Sequence, residues 1–126
     1  MTITKINLAQ AFASFDEQWS PRLAGQVNDC SIKLAKIEGD FIWHHHESED
    51  ELFLVVKGVL AMHIREDSGE RVIEVGEGEL IIIPRGMEHK PETIGGEVHV
   101  LLVEPSTTLH TGNVQCERTV TEFKSL

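Results

Sequence analysis

Four residues of this chain have the types and spacing to hold a metal ion: His44, His46, Glu51 and His89. Three of them stand in the stretch DFIWHHHESEDELFLVVKG, residues 40–58. In an extended segment alternate side chains share a face, so His44 and His46 point one way and His45 the other. Residues two apart lie roughly 7 Å apart along a strand, and two imidazoles so placed can lean onto one ion at bond lengths of about 2.0–2.1 Å. The acidic residues divide by the same parity. Glu47, Glu49 and Asp50 read as a solvated connection. Glu51 opens the next strand in register with Phe53 and Val55. A carboxylate entering an apolar interior is costly unless it is paired or bound to a metal. A fourth ligand comes from ELIIIPRGMEH: Pro84 stops a strand, Gly86 permits a tight reversal, and His89 can fold back toward the interior. The triplet is internal and flanked by strand pattern, which excludes an expression tag.

Three neutral nitrogens and one carboxylate leave a net positive charge on a divalent ion. In octahedral coordination they also leave two open positions for water, O₂ or a bidentate substrate. A structural site would be closed, so the expected centre is catalytic, with one Fe, Mn, Ni, Co or Zn ion. Glu51 is placed to leave the metal and act as a base.

The elements that must position these residues are mostly strands. Ile6, Leu8, Ala11, Phe12 and Phe15 recur near helical spacing after Asn7, a good N-cap, and predict one short N-terminal helix. From about residue 26 the chain reads as short strands broken by turns. SIKLAKIEG alternates on Ile32, Leu34 and Ile37. ELFLVVKG ends in a Lys57-Gly58 turn signal before VLAMHIRE, which predicts a hairpin of these two segments. Asp67-Ser68-Gly69-Glu70 turns the chain into RVIEVG. ELIIIP and EVHVLLVEP (97–105) give two more strands, and the weakly patterned tail from Ser106 can hold one over 118–123. Strands at this spacing mean an antiparallel sandwich or barrel.

With 126 residues the chain suits a single domain with its own core. A formal net charge of −10, with no clustering of the 11 basic residues, excludes nucleic acid and anionic membrane surfaces as partners. No apolar run is long enough to span a bilayer, and MTITKINLAQAFASF lacks the apolar core of a signal peptide, so a cytoplasmic protein is expected. Cys30 and Cys116 match no metal or redox spacing and read as free thiols.

On these residues the sequence resembles a small single-domain cupin, a double-stranded β-helix (jelly-roll) family. The family's first motif is a Gly, a His-x-His pair, a Glu after four intervening residues and a Gly after six more. Gly39, His44, His46, Glu51 and Gly58 fill it, with the first spacer one residue short. The second motif, Gly-x5-Pro-x-Gly-x2-His-x3-Asn, is filled by Gly78, Pro84, Gly86 and His89, and Thr93 stands in place of the Asn. The resemblance implies an all-β, cupin-type antiparallel jelly-roll barrel with a core over about 30–105 and a tail, 106–126, packed on it. It also implies a homodimer paired through a sheet face, aided by apolar residues on both faces of ELFLVVKG and ELIIIP.

The chemistry implied by the resemblance is broad. Cupins with this ligand set include dioxygenases of the quercetinase and acireductone type, phosphomannose isomerase-type isomerases, lyases, cyclases and oxalate-degrading enzymes. The first expectation is therefore a metal-dependent enzyme acting on a small polar or oxygenated organic molecule. The second is a non-enzymatic module that binds or senses a sugar or other metabolite through the metal, and the third a structural cupin with a vestigial site. A sugar-phosphate enzyme needs an anion site, and only Arg85 and Lys90 stand near the mouth. Arg85 can clamp a carboxylate or phosphate or pair at the surface. His45, His63 and His99 read as outward or structural, His110 reaches the pocket only if the tail folds back, and Trp43, Met62 and Phe53 read as packing.

Overall fold

A computed structural model of the chain describes residues 2–108, 112 and 124–126. One short helix precedes six strands: α1 (Leu8–Ala13), β1 (Arg22–Val27), β2 (Cys30–Ile37), β3 (Glu51–Glu66), β4 (Gly69–Val75), β5 (Leu80–Ile83) and β6 (Glu88–Pro105). The expected cap is present, with the Asn7 side chain accepting from the Gln10 N–H. The strands pair antiparallel in the order β1-β2-β6-β3-β4, and β5 joins the free side of the first part of β3. This is the all-β antiparallel barrel expected from the strand pattern, in the jelly-roll form implied by the resemblance.

The two long strands organise the rest. The first part of β3 pairs Leu52–Val55 with Val100–Val103 of β6, and its second part pairs Val59–Arg65 with Glu88–Ile94. The expected hairpin at Lys57-Gly58 does not form. Instead the chain continues through the position as one strand, with register shifts on either side of Lys57. Gly58 has φ +89°, so it bends the strand rather than reversing it. The bend also changes which residues face inward. Before it Glu51, Phe53 and Val55 are buried; after it Leu60, Met62 and Ile64 are. An odd-numbered face has become an even-numbered one. β6 makes the same change, with His89 and Pro91 buried before Gly95-Gly96 and Val98, Val100, Leu102 and Glu104 after it. The sequence reading began this strand at residue 97 and so missed its first half, including His89.

The interior between the strands is packed with Leu60, Met62, Val55, Val98 and Val100, each at most 1 % exposed. β2 is covered on both faces. Leu34 sits under α1 with Phe12 and Phe15, while Lys33, Ala35 and Ile37 turn toward the barrel. The Trp43 ring lies on the outer side, with the Arg65 guanidinium 3.9 Å from its centre. Cys30 is a free, half-buried thiol. The possible strand at 118–123, Cys116 and His110 lie outside the described residues.

A side chain at Gly58 would stand 3.0 Å from Val98 Cγ2 and 3.1 Å from the Glu97 carbonyl, at a φ that L residues rarely adopt. Gly58→Ala should therefore destabilise the protein by about 1–3 kcal/mol. Gly25→Ala, which meets nothing within 4 Å, should change stability by less than about 0.5 kcal/mol. Urea denaturation of the two variants measures both.

Candidate metal centre

The segment carrying the histidine triplet is extended but makes no regular ladder. It is tied to the first half of β6 by single bridges, Asp40 to Glu92 and His44 to His89. The His44 N–H donates to the His89 carbonyl at 3.0 Å, and the His89 N–H returns to His44 at 2.8 Å. Gly86 N–H donates to the His46 carbonyl at 2.7 Å. The Pro84–Gly86 turn, where Gly86 has φ +83°, thus locks both histidine segments to each other. Thr93, which stands in place of the Asn, ties the start of this segment to β6. Its hydroxyl accepts from Gly39 N–H at 2.7 Å, and its N–H donates to the Gly39 carbonyl at 3.0 Å.

The four expected side chains come together. His44, His46, Glu51 and His89 are buried, and each offers a ligand atom within 4.8 Å of the others. Strand parity places Glu51 inward at the start of β3, and the alternation of His44 and His46 holds although the segment is not a ladder strand. Two rings are oriented in the same way. His44 Nδ1 hydrogen-bonds the Ile42 carbonyl at 2.8 Å and His89 Nδ1 the Met87 carbonyl at 2.9 Å. Each Nδ1 therefore carries the proton, and each Nε2 is left with a lone pair, the form a metal requires. Glu51 Oε1 lies 3.4 Å from both His46 Nε2 and His89 Nε2. All three atoms are buried and without a hydrogen-bond partner. Leaving three polar atoms unsatisfied in an apolar interior is costly, and one cation among them would satisfy all three. Adjacent ligands on an ion with bonds of about 2.1 Å stand about 3.0–3.4 Å apart, which these separations match. The residues can hold a metal ion.

Electrostatics agree with the geometry. Burial, helped by His89, pushes His44 down to about 3, so its imidazole is neutral at physiological pH. Burial would raise Glu51, but its contacts with Glu104, His46 and His89 outweigh this and hold the carboxyl well below its ordinary value. Glu104 moves the other way. Burial and the neighbouring Glu51 carboxylate raise it well above the ordinary carboxylate range, against the pull of Lys33. His44 thus presents neutral nitrogen and Glu51 anionic oxygen.

Beside the cluster lies a small cavity of about 40 Å³, lined by His44 and Glu51 and otherwise by apolar side chains, among them Trp19, Phe41, Phe53, Pro91 and Leu102. Trp19 and Phe41 stack with ring centres 4.7 Å apart and planes 8° from parallel. Trp19 has φ +57°, uncommon for a large residue, and is held by its N–H to the Lys36 carbonyl and its indole N–H to the Glu38 carbonyl.

The other residues singled out from sequence lie elsewhere. His45 turns outward, 3.4 Å from Glu88 and 3.9 Å from Glu47. His63 pairs with Glu92 at 3.1 Å, and His99 stacks on Phe12 at 4.6 Å and bonds Glu97. Arg85 is exposed and outside the cavity lining, its N–H donating to Asp50. Met62 is core, and Phe53 is both core and cavity wall. The sequence reading missed Trp19 and Phe41, whose surroundings give no periodic signal. It also missed Lys33 and Glu104, although the alternation of SIKLAKI does put Lys33 opposite Leu34.

An antiparallel jelly-roll with an inward His, His, Glu, His cluster defines a cupin with the residues for a metal centre. The chain belongs to the cupin family: the Cupin domain matches residues 32–113. A cupin-2 domain containing protein from Shewanella frigidimarina NCIMB 400 is 39 % identical with a TM-score of 0.74, over 79 % of this chain and 93 % of that one. Protein NMB1881 from Neisseria meningitidis is 27 % identical with a TM-score of 0.71, over 81 % of this chain and 99 % of that one. The uncharacterized protein YdbB of Bacillus subtilis (strain 168) is 35 % identical over 65 residues, 52 % of this chain and 55 % of the relative. The chain thus spans about half the length of that curated relative. Among the described residues no helix is long and apolar enough to cross a membrane.

The depressed His44 sets a pH dependence for metal-free protein. Between about pH 6.5 and 3 the unfolded chain binds a proton on His44 that the folded chain does not. The His44 contribution to stability is therefore complete above pH 6.5 and falls as pH drops through this window. Denaturation midpoints measured from pH 7 to 4 should decline, and His44→Phe should decline less steeply over the same range.

Proposed function

We propose that this cupin is a metal-dependent enzyme acting on a small oxygenated organic molecule, with His44, His46, Glu51 and His89 as the ligands of one divalent ion. The observation that carries the reading is the convergence of the buried, unpartnered Nε2 atoms of His46 and His89 and Oε1 of Glu51. The bound ion would supply Lewis-acid activation and positions for an oxygen-bearing substrate. The chain's own residues do the rest. The Ile42 and Met87 carbonyls fix the tautomers of His44 and His89, and Glu51 is placed to accept a proton from a substrate carbon or hydroxyl. The apolar walls exclude water and strengthen electrostatic interactions inside.

Those walls also restrict the substrate. Among the described residues no Lys or Arg lines the cavity, which speaks against a phosphorylated sugar, whose anion would need such a partner. The stacked Trp19–Phe41 pair suits the hydrocarbon or unsaturated part of a compact molecule whose oxygens face the metal. Dioxygenase, isomerase and lyase chemistries all begin from that arrangement. A metal-anchored binding module would hold the same ligand without turning it over.

Metal analysis of the isolated protein should find about one equivalent of a divalent first-row metal. His46→Ala and Glu51→Ala should lose it while keeping the wild-type circular dichroism spectrum. Unchanged metal content in both variants would sink the site. Oxygen uptake with enediols, diketones and flavonols, set against an isomerase screen, separates the reaction classes, and tight binding without turnover identifies a binding module.

The same reading includes a homodimer. Two rows of apolar side chains cross the outer sheet face in register, Ile32–Val103–Leu52–Ile82 and Leu34–Leu101–Leu54–Leu80. Ile82 and Leu80 are 57 % and 56 % exposed, a patch suited to a second copy. Light scattering should give twice the 14.1 kDa chain mass, and Ile82→Glu should return it to the monomer value.

A further inference from the structure

One further charged pair lies inside the barrel. Lys33 Nζ donates to Glu104 Oε1 at 2.9 Å, with the two side chains 1 % and 0 % exposed. A buried ion pair usually contributes less stability than well-packed apolar residues of the same volume, so its place beside the cluster asks for a local reason. The strand register supplies one. Leu52 of β3 pairs with Val103 of β6, so one step further along the ladder Glu51 and Glu104 stand side by side, both turned inward. On the other side of β6, Ser31 pairs with Glu104 and Lys33 with Leu102, which brings Lys33 diagonally onto Glu104. Glu104 Oε2 is buried with no N–H or hydroxyl donor. The β3–β6 register sets the Glu51 carboxyl beside it.

We propose that Lys33 and Glu104 are positioning residues for the metal centre: Lys33 fixes Glu104, and Glu104 holds the Glu51 carboxyl so that its Oε1 faces His46 and His89. This rests on the metal-site reading above. Glu51 is the first residue of β3, directly after the exposed turn at Glu47 and Ser48 and the exposed Asp50. Its backbone is anchored on one side only by the short strand β5. A carboxylate in that position needs a side-chain neighbour to select one rotamer, and Glu104 is the neighbour that the β3–β6 ladder provides. Lys33 in turn prevents Glu104 from rotating into the apolar cavity, because doing so would strand a buried ammonium.

Cobalt(II) titration of the full chain tests this. Glu104→Leu and Lys33→Met should bind Co(II) about 10–100-fold more weakly than wild type, the loss typical when a partner of a metal ligand is removed. Their d–d absorption bands should also shift. Glu104→Gln keeps an N–H for Glu51 and a carbonyl for Lys33, and should restore both affinity and spectrum to near wild type. Val98→Ala, buried on the same strand but outside the cavity lining, should lower thermal stability and leave Co(II) affinity unchanged. Wild-type affinity and spectrum in folded Glu104→Leu and Lys33→Met would overturn the positioning role alone. If Glu104→Leu does not fold, an unchanged spectrum in Lys33→Met overturns it. A wild-type protein that takes up no Co(II) overturns the metal site and this role with it.

Discussion

Glu51 is a carboxylate held 2 % exposed inside an apolar barrel, and much of the interior is arranged around that fact. An isolated anion there would be forced to take up a proton. Here it is instead held ionised by what surrounds it. His46 and His89 approach one oxygen, Glu104 meets the carboxyl from the neighbouring strand, and Lys33 closes the row. The cluster and the pair beside it form one polar network in a core otherwise made of Val, Leu, Ile, Met, Phe and Ala.

Bringing these groups together requires two strands that each change face midway. β3 must turn Glu51 inward at its start and Leu60, Met62 and Ile64 inward later, while β6 must do so for His89 at one end and Glu104 at the other. A strand of strict alternation cannot manage either. The register shifts beside Lys57 and the opposed Gly95-Gly96 supply the extra half-step, and they lie across from each other where the two strands bend together. Fold and site are therefore not separable here. Removing the bends would put either the core or the ligands on the outer face.

The chemistry follows from contrast between the cluster and its cavity. Polar side chains are confined to the end formed by His44 and Glu51, and Trp19, Phe41, Phe53 and Leu102 line the remaining space. On the proposed function, a ligand there would gain orientation from a bound metal and desolvation from the walls, a division usual in small-molecule sites. The strained backbone of Trp19, tied by two hydrogen bonds to β2 and the residue after it, shows that the aromatic slab is held in place and not merely present.

What the sequence by itself determined was local. Parity selected His44 and His46 over His45, the inward register of Phe53 and Val55 selected Glu51 over its acidic neighbours, and Pro84 with Gly86 turned His89 back. These follow because alternation and turn chemistry act over a few residues. Tertiary structure decided the rest. Lys57-Gly58 carries the same residues as a hairpin turn, and only the continuous pairing of β6 across it makes a bend. Lys33 and Glu104 are 71 residues apart, and each reads as an ordinary surface charge until β2, β6 and β3 lie side by side. Trp19 and Phe41 become a cavity wall only when separate loops meet. Burial is a property of what the rest of the chain places around a residue, and no local pattern records it.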